Sequence, residues 1–206
     1  MFVPQNLYGM YLEIIGTIVG LIYLWLEYRA SIYLWLASIV MPAIYIFVYF
    51  DAGLYADFGI NIYYLLAAVY GWMVWKLNER RPSQSQIKNK DTIEMPITHM
   101  PTRQILPCCV VFAGALGMIW WILANYTDSN VSGWDAFTTA LSVIGIWMLS
   151  RKYLEQWWVW FVVDLVSVGL YIYKSLYFTA GLYGLYALIA IFGYLKWKKM
   201  MYEERI

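Results

Sequence analysis

The chain has 206 residues, of which 63% are hydrophobic and 13% are charged. This is more apolar surface than one soluble domain of that length can bury, so we expect membrane lipid to surround the protein. The 14 basic and 13 acidic residues nearly cancel. Such a balance offers no general attraction for a polyanion, so no nucleic-acid partner is expected.

Seven continuous apolar runs predict seven transmembrane helices. An α-helix needs about 20 apolar residues to cross a hydrocarbon core about 30 Å thick, and each run has roughly that length. The runs cover residues 7–26, 31–50, 56–75, 105–124, 134–150, 155–174 and 177–196. Strands of a barrel would alternate polar and apolar residues over about ten positions, and these runs do not alternate. The expected fold class is therefore an all-α integral membrane protein.

One long polar stretch, Leu77–Gln104, separates the third run from the fourth. It contains "ERRPSQSQIKNKD" and two further prolines, a composition typical of a surface linker. Seven crossings place thirteen of the 14 basic residues on one side of the membrane. These residues lie in this linker, at Arg29, in the Arg151–Lys152 pair and in the C-terminal tail. Basic loops favour the cytoplasm, so we expect the N-terminus outside and the C-terminus in the cytoplasm.

The two ends of the chain repeat each other. Residues 13–76 align without gaps on residues 135–198 at a shift of about 122, and roughly a quarter of the positions are identical. The matched pairs include Trp25 with Trp147, Arg29 with Arg151, Trp35 with Trp157, Tyr49 with Tyr171, and Tyr64 with Tyr186. Each repeat holds three helices and one helix lies between them, so the second repeat has the same orientation as the first. This predicts a 3+1+3 bundle of two parallel three-helix repeats.

The predicted organisation has five parts. Residues 1–76 form the first three-helix repeat, and residues 77–104 form a cytoplasmic linker. A linker transmembrane helix follows at 105–124, the second repeat at 134–198, and a cytoplasmic tail at 199–206. In small transporters built from such repeats, the binding site lies near the bilayer midplane, where the repeats face each other.

Asp164 is the residue most unlike its surroundings, because it lies in the middle of the sixth apolar run. A charge there costs about 2.5 to 3.5 kcal/mol on insertion scales. Trp157, Trp160, Ser167 and Tyr171 share its helix face at spacings of three and four. A carboxylate among ring faces is typical of a site for an organic cation or an aromatic heterocycle. The alternative is an aspartate satisfied by hydroxyls or water that helps helices pack.

Three residues of the first repeat complete the candidate substrate-binding set. Pro42 aligns with Asp164, and as a proline inside a helix it frees a backbone carbonyl that a ligand could use, or it serves packing alone. Asn61 lies deep in the third run, where its amide could bind substrate or bridge two helices. Trp35 is the counterpart of Trp157.

Enzyme chemistry has little support in the sequence. The single histidine, His99, lies in the linker, away from the adjacent Cys108 and Cys109, so neither a metal site nor a Cys–His catalytic pair is expected. The sequence contains no phosphate-binding G-x-x-x-x-G-K-[ST] loop, so ATP is not expected to drive transport directly. We therefore predict no catalytic residues, no metal and no cofactor.

The sequence resembles the PnuC family of bacterial vitamin transporters over nearly its whole length. The strongest segments are "EIIGTIVGL" from Glu13, "LYADFGINIYYLLAAVYGWMVW" from Leu54 and "SRKYLEQWWVWFVVDLVSV" from Ser150. The resemblance implies a 3+1+3 bundle similar to the SWEET proteins, a bacterial inner-membrane location and a homotrimer. It also implies facilitated diffusion of a vitamin, with net uptake driven by phosphorylation by a separate cytoplasmic kinase.

The substrate-facing positions depart from the pattern of the riboside-transporting members. Asp164 stands where those members have asparagine, and Asn61 stands where they tend to have glutamine. Nicotinamide riboside is the predicted substrate and thiamine the alternative, since both are cationic heteroaromatics; riboflavin is transported in a related branch. Two other classes stay open: a non-transporting sensory or interaction protein, and a proton-coupled carrier.

Overall fold

Seven α-helices account for most of the part of the chain that the structure describes. The structure, a computed structural model, describes residues 7–51, 55–78, 95–126 and 131–203. The helices are α1 (Leu7–Tyr28), α2 (Tyr33–Asp51), α3 (Tyr55–Leu77), α4 (Ile105–Tyr126), α5 (Ser132–Ser150), α6 (Gln156–Tyr173) and α7 (Tyr177–Glu203). Across these described ranges, the prediction of an all-α protein with seven helices is confirmed.

The helix bounds follow the apolar runs except at the end of α7. That helix runs to Glu203, seven residues past the predicted end, because the lysine-rich "KWKKMMYE" continues with good helix formers. Pro42 lies inside α2, whereas Pro107 lies in the first turn of α4, where a missing N–H costs little. Within the described residues, the helical segments Thr102–Tyr126, Gln156–Tyr173 and Tyr177–Glu203 are each long and apolar enough to cross a membrane.

The chain packs as two compact units. One comprises Met1–Val69 and the other Tyr70–Ile206. In the first unit α1 packs against α2, and in the second α5 lies against both α4 and α6, while α6 has its most extensive packing with α7. The second unit therefore carries the predicted carboxylate within an α5–α6–α7 layer.

Two tryptophans of α6 fill gaps left by glycines on the neighbouring helices. The ring of Trp157 lies so close to Gly193 of α7 that a Cβ there would come within 2.5 Å of its carbon atoms. The same ring meets Trp197 edge-on, with centroids 5.5 Å apart. On the other side, Trp160 lies beside Gly145 of α5, where a Cβ would be 3.1 Å from the ring. Small residues thus let α6 approach both neighbours closely.

The ends of α1 and α5 adopt the same left-handed turn. Ala30 has φ 52° and Lys152, 122 positions later, has φ 51°. The left-handed residue donates its N–H to the carbonyl three residues back, at 2.8 Å for Ala30 and 2.9 Å for Lys152. The next N–H donates five residues back, from Ser31 at 3.0 Å and from Tyr153 at 3.1 Å. This Schellman arrangement satisfies the last carbonyls of each helix without a glycine.

Part of the linker lies against the turn between α5 and α6. Residues 95–100, called the docked segment below, form a parallel β-bridge in which Thr98 pairs with Tyr153. The Thr98 N–H donates to the Lys152 carbonyl at 3.1 Å, and the Leu154 N–H donates to the Thr98 carbonyl at 2.9 Å. Glu155 accepts from the Met100 N–H at 2.9 Å and lies 2.7 Å from His99 Nδ1. The docked segment therefore holds the start of α6.

Candidate functional site

Asp164 lies at the middle of α6 and is buried. It is 8% exposed, and its carboxylate has neither a hydrogen bond nor an ion pair with any residue of the described ranges. A buried carboxylate without such a partner is costly, so this group calls for a ligand, an ion or an ordered water. The alternative role predicted for Asp164 was a packing residue whose carboxylate is satisfied by hydroxyls or water. Among the described residues, no hydroxyl group makes a hydrogen bond to it.

Two tyrosines of α7 interact electrostatically with this carboxylate, and one of them packs on a tyrosine of α6. Tyr183 and Tyr186 of α7 lie within electrostatic range of Asp164. The ring of Tyr183 is 5.0 Å from that of Tyr171 and 5.6 Å from that of Tyr186, measured between centroids. Ser167, also buried, lies one turn after the carboxylate. These five residues form what we call the Asp164 cluster.

The Asp164 cluster has the chemistry of a cation site. A carboxylate supplies the opposite charge, and the faces of phenol rings attract cations by about 0.5 to 2 kcal/mol each, depending on desolvation. Tyrosine hydroxyls add hydrogen-bond donors and acceptors for polar substituents. An organic cation with an aromatic ring would use the charge and the ring faces together.

The first turns of α6 carry four buried polar atoms without partners. Gln156 Nε2 and Oε1, Trp157 Nε1 and Trp160 Nε1 have no hydrogen-bond partner among the described residues. Trp157 is 1% exposed, and its ring is held between Gly193 and Trp197. Trp157 and Trp160 lie seven and four residues before Asp164 on α6, and their rings contact α7 and α5 respectively. Their role as stacking groups stays a prediction.

The other predicted residues belong to the Met1–Val69 unit. Pro42 is buried inside α2, Trp35 is buried near the start of the same helix, and Asn61 is half-buried in α3. Their substrate contacts stay predictions. Asp164, Ser167 and Tyr171 lie along one face of α6, and their role in binding also stays a prediction.

Tyr183, Tyr186 and Gln156 were missed by the sequence analysis. The internal repeat could have indicated the tyrosines. At a shift of 122 residues, Tyr183 aligns with the candidate Asn61, and Tyr186 aligns with Tyr64. Gln156 gave no comparable signal, because its counterpart is Leu34. In the part of the chain that the structure describes, no three His, Cys, Asp or Glu side chains are grouped to hold a metal ion.

Comparison with known proteins gives a consistent set of relatives. The family model described as "Nicotinamide mononucleotide transporter" matches residues 10–199. The nicotinamide riboside transporter PnuC of Escherichia coli (strain K12) is 23% identical over 212 residues, covering 91% of this chain and 84% of the relative. The riboflavin/roseoflavin transporter RibM of Streptomyces davaonensis is 22% identical over 197 residues, covering 95% of this chain and 88% of the relative.

A solved structure shows the same fold. The crystal structure of the vitamin B3 transporter PnuC superposes with a TM-score of 0.65 at 18% identity. The match covers 91% of this chain and 80% of that one. At 18% identity this likeness supports the fold alone.

Proposed function

The chain belongs to the nicotinamide mononucleotide transporter family, and we propose that it carries a cationic heteroaromatic vitamin, nicotinamide riboside first, across a bacterial inner membrane. The predicted resemblance to PnuC proteins is confirmed, and the relatives are transporters of vitamins, not enzymes.

The buried Asp164 carboxylate is the observation that carries the proposal. It lies at the middle of the apolar helix α6, within electrostatic range of Tyr183 and Tyr186, and Tyr171 lies two turns farther along the same helix. A cation bound there offsets the cost of the isolated charge, and the tyrosine faces take the aromatic ring. Nicotinamide riboside and thiamine both meet this requirement, so thiamine is the second candidate.

The same charge argues against the phosphorylated form of the vitamin. A phosphate adds a charge of about −1.5 to −2, which Asp164 would repel. Phosphorylation by a separate cytoplasmic kinase would therefore trap the vitamin inside, and facilitated diffusion would suffice for net uptake. The sequence contains no phosphate-binding loop for direct use of ATP, which agrees with this mechanism.

The proposed architecture is two three-helix repeats of the same orientation, joined by α4, within seven crossings. The shared left-handed turn of Ala30 and Lys152 supports the repeat. So does the burial of matched residues, which include Trp35 with Trp157, Ala68 with Ala190, and Trp75 with Trp197. The basic loops support a cytoplasmic C-terminus and an outer N-terminus. The resemblance extends the proposal to a homotrimer in membrane lipid.

Binding measurements on the purified chain test the function. We expect nicotinamide riboside to bind in isothermal titration calorimetry, and nicotinamide mononucleotide to bind at least tenfold more weakly because of its phosphate. Asp164→Asn should weaken the riboside by about tenfold or more, since a desolvated counter-ion is lost. Asp135→Asn is the matched control, because Asp135 lies in the first turn of α5 and its Oδ1 pairs with Lys174 Nζ at 3.5 Å. A chain that binds none of nicotinamide riboside, thiamine and riboflavin would rule the assignment out.

Transport measurements separate the classes of protein. Proteoliposomes should exchange labelled riboside in counterflow, which a sensory or interaction protein would not do. Collapsing a proton gradient should leave uptake unchanged, whereas a fall in uptake would identify a proton-coupled carrier.

A further inference from the structure

The start of α6 holds a fully buried amide that the cation site does not use. Gln156 is 0% exposed, and both its Nε2 and Oε1 have no hydrogen-bond partner among the described residues. Leaving a buried amide unpaired costs stability, so such a group needs a reason to persist. The aligned position of the first repeat, Leu34, is equally buried and apolar, which shows that this place in the fold accepts a residue without polar atoms.

Gln156 lies on the face of α6 that leads to the carboxylate. Gln156, Trp160 and Asp164 follow one another at intervals of four residues, so each is a neighbour of the next along the helix. Trp160 Nε1, between the other two, is also buried without a partner among the described residues. Eight residues of helix separate Gln156 from Asp164 by about 12 Å, a span that a heteroaromatic ring joined to a sugar covers.

The position of Gln156 is fixed by the residues around it. Its N–H donates to the Tyr153 carbonyl at 3.2 Å, in the turn that the docked segment contacts. The preceding residue, Glu155, accepts from the Met100 N–H, and the following one, Trp157, is held against Gly193. A side chain on so constrained a backbone is suited to recognition, because little conformational freedom is lost on binding.

The chemistry of an amide selects the kind of group it binds. An amide offers a donor and an acceptor at once, which matches a hydroxyl group, while the indole N–H of Trp160 adds one more donor. Neither group carries a charge, so neither adds attraction for the cationic ring. A polar group of this type discriminates strongly against an analogue that lacks its hydrogen-bonding partner.

We propose that Gln156, with the indole N–H of Trp160, binds the hydroxylated, uncharged part of the substrate while Asp164 holds the cationic ring. Gln156 is then a specificity-determining residue that favours a ribosylated cation over the bare one. The inference rests on the proposed function, which names the cation.

Titration calorimetry with two pyridinium cations tests it. Nicotinamide riboside and 1-methylnicotinamide share the cationic ring, but only the first carries a sugar. Gln156→Leu in the full purified chain should weaken the riboside by about tenfold and leave 1-methylnicotinamide unchanged. Asp164→Asn should weaken both compounds. Val162→Ala, on the exposed side of α6, is the control that should change neither.

Equal weakening of the two compounds by Gln156→Leu, or no weakening, would overturn the inference while leaving the cation site in place. Gln156→Met, which keeps the unbranched shape, gives the same comparison if the leucine variant does not fold. Both variants should melt at the wild-type temperature or above it, because an unpaired buried amide is removed. Wild-type protein that binds neither compound would contradict the proposed function and this inference with it.

Discussion

Gly193 sets how closely α6 and α7 approach each other. Its missing side chain leaves room for the ring of Trp157, which is also held by Trp197. The contact lies two turns from Asp164 along α6, so it sets how closely Asp164 approaches Tyr183 and Tyr186 of α7. A glycine that looked like one of many in an apolar helix is therefore a positioning residue.

Gly193→Ala should destabilise the protein. The new Cβ would lie 2.5 Å from the Trp157 ring, and overpacking of this kind costs about 1 to 3 kcal/mol. Thermal unfolding in detergent measures the effect as a lower melting temperature. Gly181→Ala on the same helix is the matched control, since no atom lies within 4 Å of its added Cβ. Equal melting temperatures for the two variants would show that the ring moves aside freely.

The sequence indicated the members of the Asp164 cluster that lie on α6 but not those that lie on α7. Asp164 could be found because a carboxylate stands out in an apolar run, and Ser167 and Tyr171 followed from helical spacing. Tyr183 and Tyr186 could not be selected in the same way, because the chain has 20 tyrosines and most have an ordinary place in a membrane helix. Which tyrosines lie near Asp164 depends on the rotation of α7 against α6. Gly193 helps to set that rotation, and nothing in the amino-acid composition distinguishes it from the other glycines.

Among the structural elements, the helices could be predicted from the apolar runs, whereas nothing in the sequence predicted the docked segment. Continuous apolar stretches fix where a helix must lie in lipid, because backbone groups have no other partner there. The docked segment belongs to the polar linker and contains Pro96, two features that predict a loop. Its single β-bridge to Tyr153 depends on the Lys152 turn, and no periodicity within six residues could show it.

Glu155 is the residue that ties the docked segment to α6. Glu155→Ala should remove its contacts with the Met100 N–H and His99 Nδ1, and hydrogen–deuterium exchange at Met100 should accelerate by about tenfold. The effect should stay local, because the β-bridge at Thr98 uses backbone groups. Glu203→Ala removes an exposed pair with Lys199 and should not alter exchange at Met100. Unchanged exchange in the Glu155 variant would mean that the β-bridge alone holds the segment.

On the scale of the whole molecule, the distribution of basic residues makes a prediction about topology. In a background with Cys108→Ser and Cys109→Ser, Lys174→Cys should react with a membrane-impermeant maleimide in intact cells. Arg103→Cys, in the exposed turn before α4, should react only after the membrane is opened. The cysteine-free background reports non-specific labelling. Labelling of both positions from outside would contradict seven crossings, because these sites must then share one face.

The length of α7 has a mechanical meaning. Its 27 residues extend for about 40 Å, whereas the hydrocarbon core is about 30 Å thick, so the last turns continue as helix beyond the membrane. A rigid rod of this kind amplifies rotation: a tilt of about 10° at the membrane displaces its tip by about 7 Å. Any rearrangement that tilts α7 as the vitamin passes would therefore appear, enlarged, as a movement of Lys199 and Glu203 at the membrane surface.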